Sequence, residues 1–303
     1  MRTEFLAKTL GTLLLVLMAP AQSALPAGKT GDEPVAMITD LKGVVTVHGA
    51  QGDQNADMLM SLEPGAELRI PAGGSITLVY YGAARKYTYA GTDTVNIGAA
   101  APNAASGALG ESHVIALATE TGLGARQVQE LVQGGMQMRS LDPRKRIRLK
   151  NPVRTVVLEP TPVFSWEPLE PNTQYRFTLR DDAGLTLLET LMGSTRLRLP
   201  QEIKLRDGVS YTWQVEARAA SGNAYAAAAE FSLLPAAQRV LIEGKRPAPD
   251  AEVSEFLVYA LMLQQNNLRY DAGKAWRALA SYRPESGLLQ RLAADAPDES
   301  PAP

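Results

Sequence analysis

A chain of 303 residues with 30 basic and 32 acidic side chains is long enough for two or three domains, and its formal net charge of −2 gives it no global attraction to nucleic acid. The absence of cysteine excludes a disulfide, a thiolate nucleophile and a lipid carried on cysteine. With 45% hydrophobic and 20% charged residues, the composition is that of a folded protein and not of a disordered tail.

The first stretch has the three-part form of a secretory signal: Arg2 and Lys8, an apolar run from Leu10 to Met18, then small residues through Ala24. Residues 1–24 are therefore expected to be removed, by cleavage after Ala21 or Ala24, and the alternative is an uncleaved N-terminal anchor. The apolar run is shorter than the ~20 residues a membrane helix needs. The mature chain is expected to be periplasmic and not integral to the membrane, since an exported, alanine-rich chain without cysteine fits a bacterial periplasm better than a disulfide-dense extracellular scaffold.

From Val35 to Val47 two short apolar runs meet at an Asp40-Leu41-Lys42-Gly43 turn. Further strands are expected over Glu63 to Ile70, Ser75 to Tyr81, Tyr87 to Ala90 and Thr92 to Ile97. In Ser75 to Tyr81 the residues Ile76, Leu78 and Tyr80 face one way and Thr77 and Val79 the other, which predicts a strand covered on both sides. The polar hairpin tip Gly82-Ala83-Ala84-Arg85-Lys86 follows it. Arg85 and Lys86 there read as a compact positive point for partner binding.

Met37 to Val47, the Leu62 to Ile70 segment with Pro64-Gly65, and Gly74-Ser75-Ile76-Thr77-Leu78-Val79-Tyr80 resemble the periplasmic FecR domain of bacterial iron-citrate regulators and of exported proteins that carry it alone. The resemblance spans residues 34–98 and implies a small all-β domain used for protein contact or ligand sensing. The regulators also carry a cytoplasmic segment that handles a sigma factor. Here only a handful of residues precede the apolar run, so the chain is not expected to pass a signal across the membrane by itself.

Residues 99–150 are expected to be linker and connector. Gly98 to Glu111 is mostly Ala, Gly, Ser, Asn and Pro, with little apolar surface to offset the entropy of ordering it. Arg126 to Val132 reads as a short helix. The basic run Arg144-Lys145-Arg146, Arg148, Lys150 and Arg154 is a second candidate for partner binding, through Arg144, Lys145 and Arg146. Its alternation with Ile147 and Leu149 also fits the solvent side of a charged edge strand.

Over 151–235 the alternation in Phe164-Ser165-Trp166, Tyr175 to Leu179, Thr195 to Leu199 and Tyr211-Thr212-Trp213 predicts a β-sandwich with an aromatic core. Trp166-x-Pro168, Tyr175, and Leu205-x-x-Gly208-x-x-Tyr211-x-Trp213-x-Val215-x-Ala217 resemble a fibronectin type III domain. That likeness implies a tyrosine corner at Tyr211. Its last strand falls on Ala224 to Ala229, a run of Tyr and Ala poor in β-branched residues.

Pro247-Ala248-Pro249-Asp250 marks another boundary, and residues 250–295 turn helical. Val253, Phe256, Leu257, Ala260, Leu261 and Leu263 make one helix ending at Asn266-Asn267, Ala272 to Tyr282 a second ending at Pro284, and Ser286 to Ala294 a third. Tyr270-Asp271-Ala272 and Ala278-x5-Pro284 resemble one tetratricopeptide hairpin. A single copy predicts a helical cap and not a solenoid.

Groups that converge for chemistry are few. His48 and His113 lack metal-ligand spacing, and Gly122-Leu123-Gly124 lacks the third glycine of a dinucleotide loop, Gln127 standing in its place. The fold class expected is mainly β: a FecR-like domain and a fibronectin-like sandwich with a short C-terminal helical segment. The function expected is that of a non-enzymatic accessory in envelope signalling or assembly, with no catalytic residues, cofactor or metal. Its partner would be a membrane sensor or envelope protein. A carbohydrate- or peptidoglycan-binding protein that holds an anionic polysaccharide is the alternative, resting on Tyr87, Tyr89 and Tyr225 as stacking surfaces.

Overall fold

The computed structural model describes residues 33–50, 52–108, 110–121, 124–126, 128–129, 146–294 and 296. Among them no helix is long and apolar enough to cross a membrane. The signal segment, Arg144 and Lys145 lie outside these residues, as does most of the expected helix at 126–132.

The chain is mainly β. The first region holds β1 (Ala36–Lys42), β2 (Thr46–Gly49), β3 (Gly52–Asn55), β4 (Ser61–Leu62), β5 (Glu67–Ile70), β6 (Ser75–Tyr80), β7 (Arg85–Ala90), β8 (Asp93–Ile97), β9 (Pro102–Ala104) and β10 (Glu111–Val114), followed by α1 (Ala116–Thr121). Two five-stranded sheets form, in the orders β10-β7-β6-β1-β4 and β3-β2-β5-β8-β9. Ile38, Leu78, Tyr80 and Tyr89 of one sheet meet Val47, Leu68, Val95 and Ile97 of the other in a common core.

Strand period decides what happens on the far side. Met37 and Val79 point away from that core and join a second one with Leu257, Leu261 and Trp276 of the C-terminal helices. The expectation that Ser75 to Tyr80 is covered on both faces therefore holds, and helices supply the second cover. One boundary moves. The stretch from 98 to 111, expected as linker, contributes β9 and leads into β10, each extending a sheet of the first region by main-chain pairing with β8 and β7.

The second region holds β11 (Leu149–Asn151), β12 (Thr155–Val157), β13 (Val163–Trp166), β14 (Tyr175–Asp181), β15 (Thr186–Met192), β16 (Arg196–Arg198), β17 (Ser210–Arg218) and β18 (Ala224–Leu233). Sheet β11-β13-β16 faces sheet β12-β18-β17-β14-β15 across Phe164, Trp166, Tyr175, Phe177, Tyr211 and Trp213. Tyr211 makes the expected corner: its hydroxyl accepts from the Arg206 N–H at 2.6 Å and reaches the Arg206 carbonyl at 3.4 Å. β18 runs for 10 residues through the Tyr and Ala stretch. Continuous pairing with β17 holds it in place of β propensity.

Four helices close the chain: α2 (Ala236–Glu243), α3 (Val253–Gln265), α4 (Arg269–Tyr282) and α5 (Gly287–Ala293). Their ends match the punctuation of the sequence, with Asn266 capping α3 and the Ser286 hydroxyl accepting from the Leu289 N–H at the start of α5. They pack on both regions. α3, α4 and α5 bracket the two sandwiches. On the first, the Arg283 guanidinium grips the Asp40 carboxylate in a two-point fork at 2.7 and 2.8 Å, and Ser286 Oγ donates to Asp57 at 3.1 Å. On the second, Tyr270 enters the aromatic core and its hydroxyl accepts from the Val163 N–H at 2.9 Å.

Beside Tyr270, Asp271 accepts from the Leu158 N–H at 2.9 Å while only 7% exposed. Burial raises its pKa to about 6, the Leu158 hydrogen bond opposing part of the shift. Because the folded-state value lies above the unfolded one, the associated stability is fully present below the ordinary carboxylate range and is lost as pH rises through about 6. We expect acidification from pH 7 to 5 to stabilise the wild type through this group by ~1 kcal/mol. Asp271→Asn keeps an acceptor for Leu158 and should flatten that slope, seen as melting temperatures that no longer separate between the two pH values. An unchanged slope would place the titration elsewhere.

Candidate functional site

The sequence singles out Arg85 and Lys86 as an exposed positive tip, and the structure moves them. The turn ends at Ala84, buried at 3%, and β7 begins at Arg85. The Ala84 carbonyl accepts from the Ile115 N–H at 2.9 Å, so the chain entering α1 lies over the tip. Alternation along β7 sends Tyr87 and Tyr89 toward the inter-sheet core and leaves Lys86 on the face that the helices cover. Lys86 is 4% exposed, and its ammonium meets Glu252 at 2.6 Å. Arg85 is half-buried and donates to Ser112 Oγ at 3.0 Å. A strand pattern tells which face a side chain takes and not what later packs on that face.

What Lys86 does border is a cleft of about 470 Å³ between the β7–β10 edge and the segment joining α2 to α3. One wall carries His113, Val114 and Ala116. The opposite wall carries Lys245, Arg246, Pro247 and Ala248, with Glu255 at the start of α3. Glu252 and Glu255 suit that helix start, where the backbone dipole favours negative charge. The lining carries three basic side chains, Lys86, Lys245 and Arg246, against Glu255, and Lys86 is paired with Glu252. Val114 is 56% exposed at the rim and gives it an apolar patch.

His113 Nε2 lies 3.1 Å from Glu111, both exposed, and His48 pairs with Asp53 across the β2–β3 hairpin, where both side chains are also exposed. Among the described residues no three His, Cys, Asp or Glu side chains gather at metal-binding distance. Neither histidine has a hydroxyl within hydrogen-bond reach among the described residues.

Of the basic run, Arg146 is exposed, Ile147 is buried at 5%, and Arg148 and Lys150 each lie 3.9 Å from Glu167. This is the alternation expected of a charged edge, and β11 is the outer strand of its sheet. Arg146 stands apart from the residues lining the cleft, so the two candidate groups are not brought together there. Sequence reasoning missed the Lys245 to Ala248 wall. Pro247-Ala248-Pro249-Asp250 read only as a boundary, although a basic pair before such a rigid stretch is a signal that could have marked it. The stacking surfaces are also largely spent: Tyr89 is buried at 6%, and Tyr87 packs edge-on against Tyr80 at 5.5 Å.

No protein-family model matches the chain, and no curated protein does. Among solved structures it is similar to CopC from Methylosinus trichosporium OB3b, at 18% identity over 30% of this chain and 95% of that one, with a TM-score of 0.24. It is also similar to the fn3 domain of the human collagen alpha-1(XX) chain, at 16% identity over 38% of this chain and 93% of that one, with a TM-score of 0.23.

Proposed function

We propose that the protein is a non-enzymatic accessory of the cell envelope that holds a segment of a partner protein in the cleft beside Lys86. The observation that carries this reading is the cleft itself: an open, basic-lined slot with an apolar rim, built where the C-terminal helices meet the first sandwich. Such a lining suits an acidic peptide segment with a few apolar side chains. The FecR-like pattern of the first region supports a contact or sensing role outside the cytoplasm, and the signal-like first 24 residues support export to the periplasm. A membrane sensor or another envelope protein is the partner of choice.

The test is site-specific photocrosslinking in cells from position 113, inside the cleft, against position 237 on α2, outside it. A discrete adduct from 113 that position 237 does not give, and that Arg246→Glu weakens several-fold, is the expected result. Rim charge acts mainly on association, so the loss should be largest at low salt. Equal adducts from both positions, or retention on insoluble peptidoglycan that Arg246→Glu leaves unchanged, would remove the cleft from the account.

A further inference from the structure

Among the described residues, the outer edge of the second sandwich is left largely uncovered. β18 pairs with β17 along its whole length, but on its other side β12 covers only Phe231 to Leu233. The hydrogen bonds fix which residues face outward. The Glu230 carbonyl accepts from the Arg154 N–H on the side away from β17, whereas Leu233 exchanges bonds with Gly208 and Val209 on the β17 side. Main-chain groups alternate along a strand, so Ala224, Ala226 and Ala228 direct their N–H and C=O groups outward. No described residue pairs with them.

Their side chains are methyls lying exposed on the outer face, while Tyr225, Ala227 and Ala229 lean on the core. Nothing in this stretch blunts the edge: it holds no proline, no lysine and no break in register with β17. An edge of this kind is a template for another strand.

We propose that the strand it takes is the same edge of a second copy of this chain, running antiparallel with Ala226 against Ala226 across a two-fold axis. In that register Ala224 faces Ala228 of the second copy, and the outward groups complement one another in about six N–H···O bonds. The charges complement as well. Glu230 of one copy, its outward carbonyl taken by Arg154, lies just past the paired stretch and level with the Gly222 turn of the other, and the Gly222 carbonyl accepts from the Arg218 guanidinium at 3.2 Å. Arg218 and Glu230 are both exposed, and both occupy the outer face of the sheet. Each dimer thus gains two Arg218–Glu230 pairs and sets no like charges opposite each other. A foreign peptide at such an edge would be chosen through pockets for its alternate side chains. The methyls themselves offer none, and the open hollow of about 490 Å³ beside Ala224 and Ala226 is walled largely by the charged side chains of Arg176, Glu216 and Arg218, whereas an identical edge needs no pocket, and two-fold pairing is the commonest form of self-association.

The absence of cysteine makes the test clean. Directly opposed residues of a hydrogen-bonded pair stand about 5.5 Å apart between Cα atoms, within the ~4.4–6.8 Å that a disulfide spans. Ala226→Cys should therefore give a covalent dimer under mild oxidation, and Ala237→Cys on α2 should not. In sedimentation the wild type should dimerise with concentration. Ala226→Lys places two ammonium groups at the axis and should raise the dissociation constant at least tenfold without moving the melting temperature. Arg218→Glu should weaken the dimer, and adding Glu230→Arg to it should restore association. A wild type that stays monomeric, or a dimer indifferent to Ala226→Lys and crosslinked equally from both cysteine positions, would overturn the proposal.

Discussion

Tyr270→Ala should unfasten the helical bracket from the second sandwich while leaving the first one folded. The side chain is 1% exposed, belongs to the sandwich core although it is carried by α4, and accepts through its hydroxyl oxygen from the Val163 N–H. Truncating a buried aromatic costs ~3–5 kcal/mol, and the orphaned Val163 donor adds its own desolvation penalty. That is a large part of a domain's usual margin of ~5–15 kcal/mol. Calorimetry should show one transition in the wild type and two in the variant. Tyr270→Phe keeps the ring and leaves only the Val163 donor unpaired, which should cost ~1–3 kcal/mol. A single, barely shifted transition in the alanine variant would mean that the ion pair between Lys274 and Glu159, at 2.6 Å, and the main-chain contacts at Asn267 hold the joint alone.

The second large effect sits in the sandwich core. Trp213 is fully buried among Phe164, Trp166 and Phe177, and its indole N–H donates to the Pro152 carbonyl at 2.7 Å. Trp166 is 3% exposed against Tyr175 and Phe177, and no described residue accepts from its indole N–H. Either alanine substitution should cost ~3–5 kcal/mol. The phenylalanine substitutions should diverge. Trp213→Phe strands the Pro152 carbonyl, whereas Trp166→Phe removes a donor that had no partner, so Trp213→Phe should be the more destabilising by ~1–2 kcal/mol in denaturant titrations. Equal losses would show that volume alone decides both sites.

Period and punctuation carried much of the fold. Ile76, Leu78 and Tyr80 against Val79 announced a strand covered twice, Asn266-Asn267 and Pro284 placed the helix ends, and Tyr211 with Gly208 placed the corner. The failures have a common physical origin. β9 and β10 contain few buried side chains and exist through main-chain hydrogen bonds to β8 and β7, which composition does not register. Lys86 looked like surface because it is a lysine beside a turn. Its cover, Glu252 and α3, arrives more than 160 residues later. Tyr270-Asp271 resembled a repeat signature, and the same two side chains instead anchor the helices to a neighbouring sandwich.

The grip of Arg283 on Asp40 joins residues 243 positions apart. A chain delivered through a membrane from its N-terminus would therefore make its first sandwich long before the helices that cover Met37 and Val79 emerge. During that interval an apolar sheet face stays open to solvent and to other nascent chains. Contacts so distant in sequence also close slowly, because the entropy of a long loop must be met before they give anything back. Truncation after the second sandwich should thus yield aggregates and not a tidy two-domain fragment, and holding chaperones should be needed most while the last quarter of the chain is still being delivered.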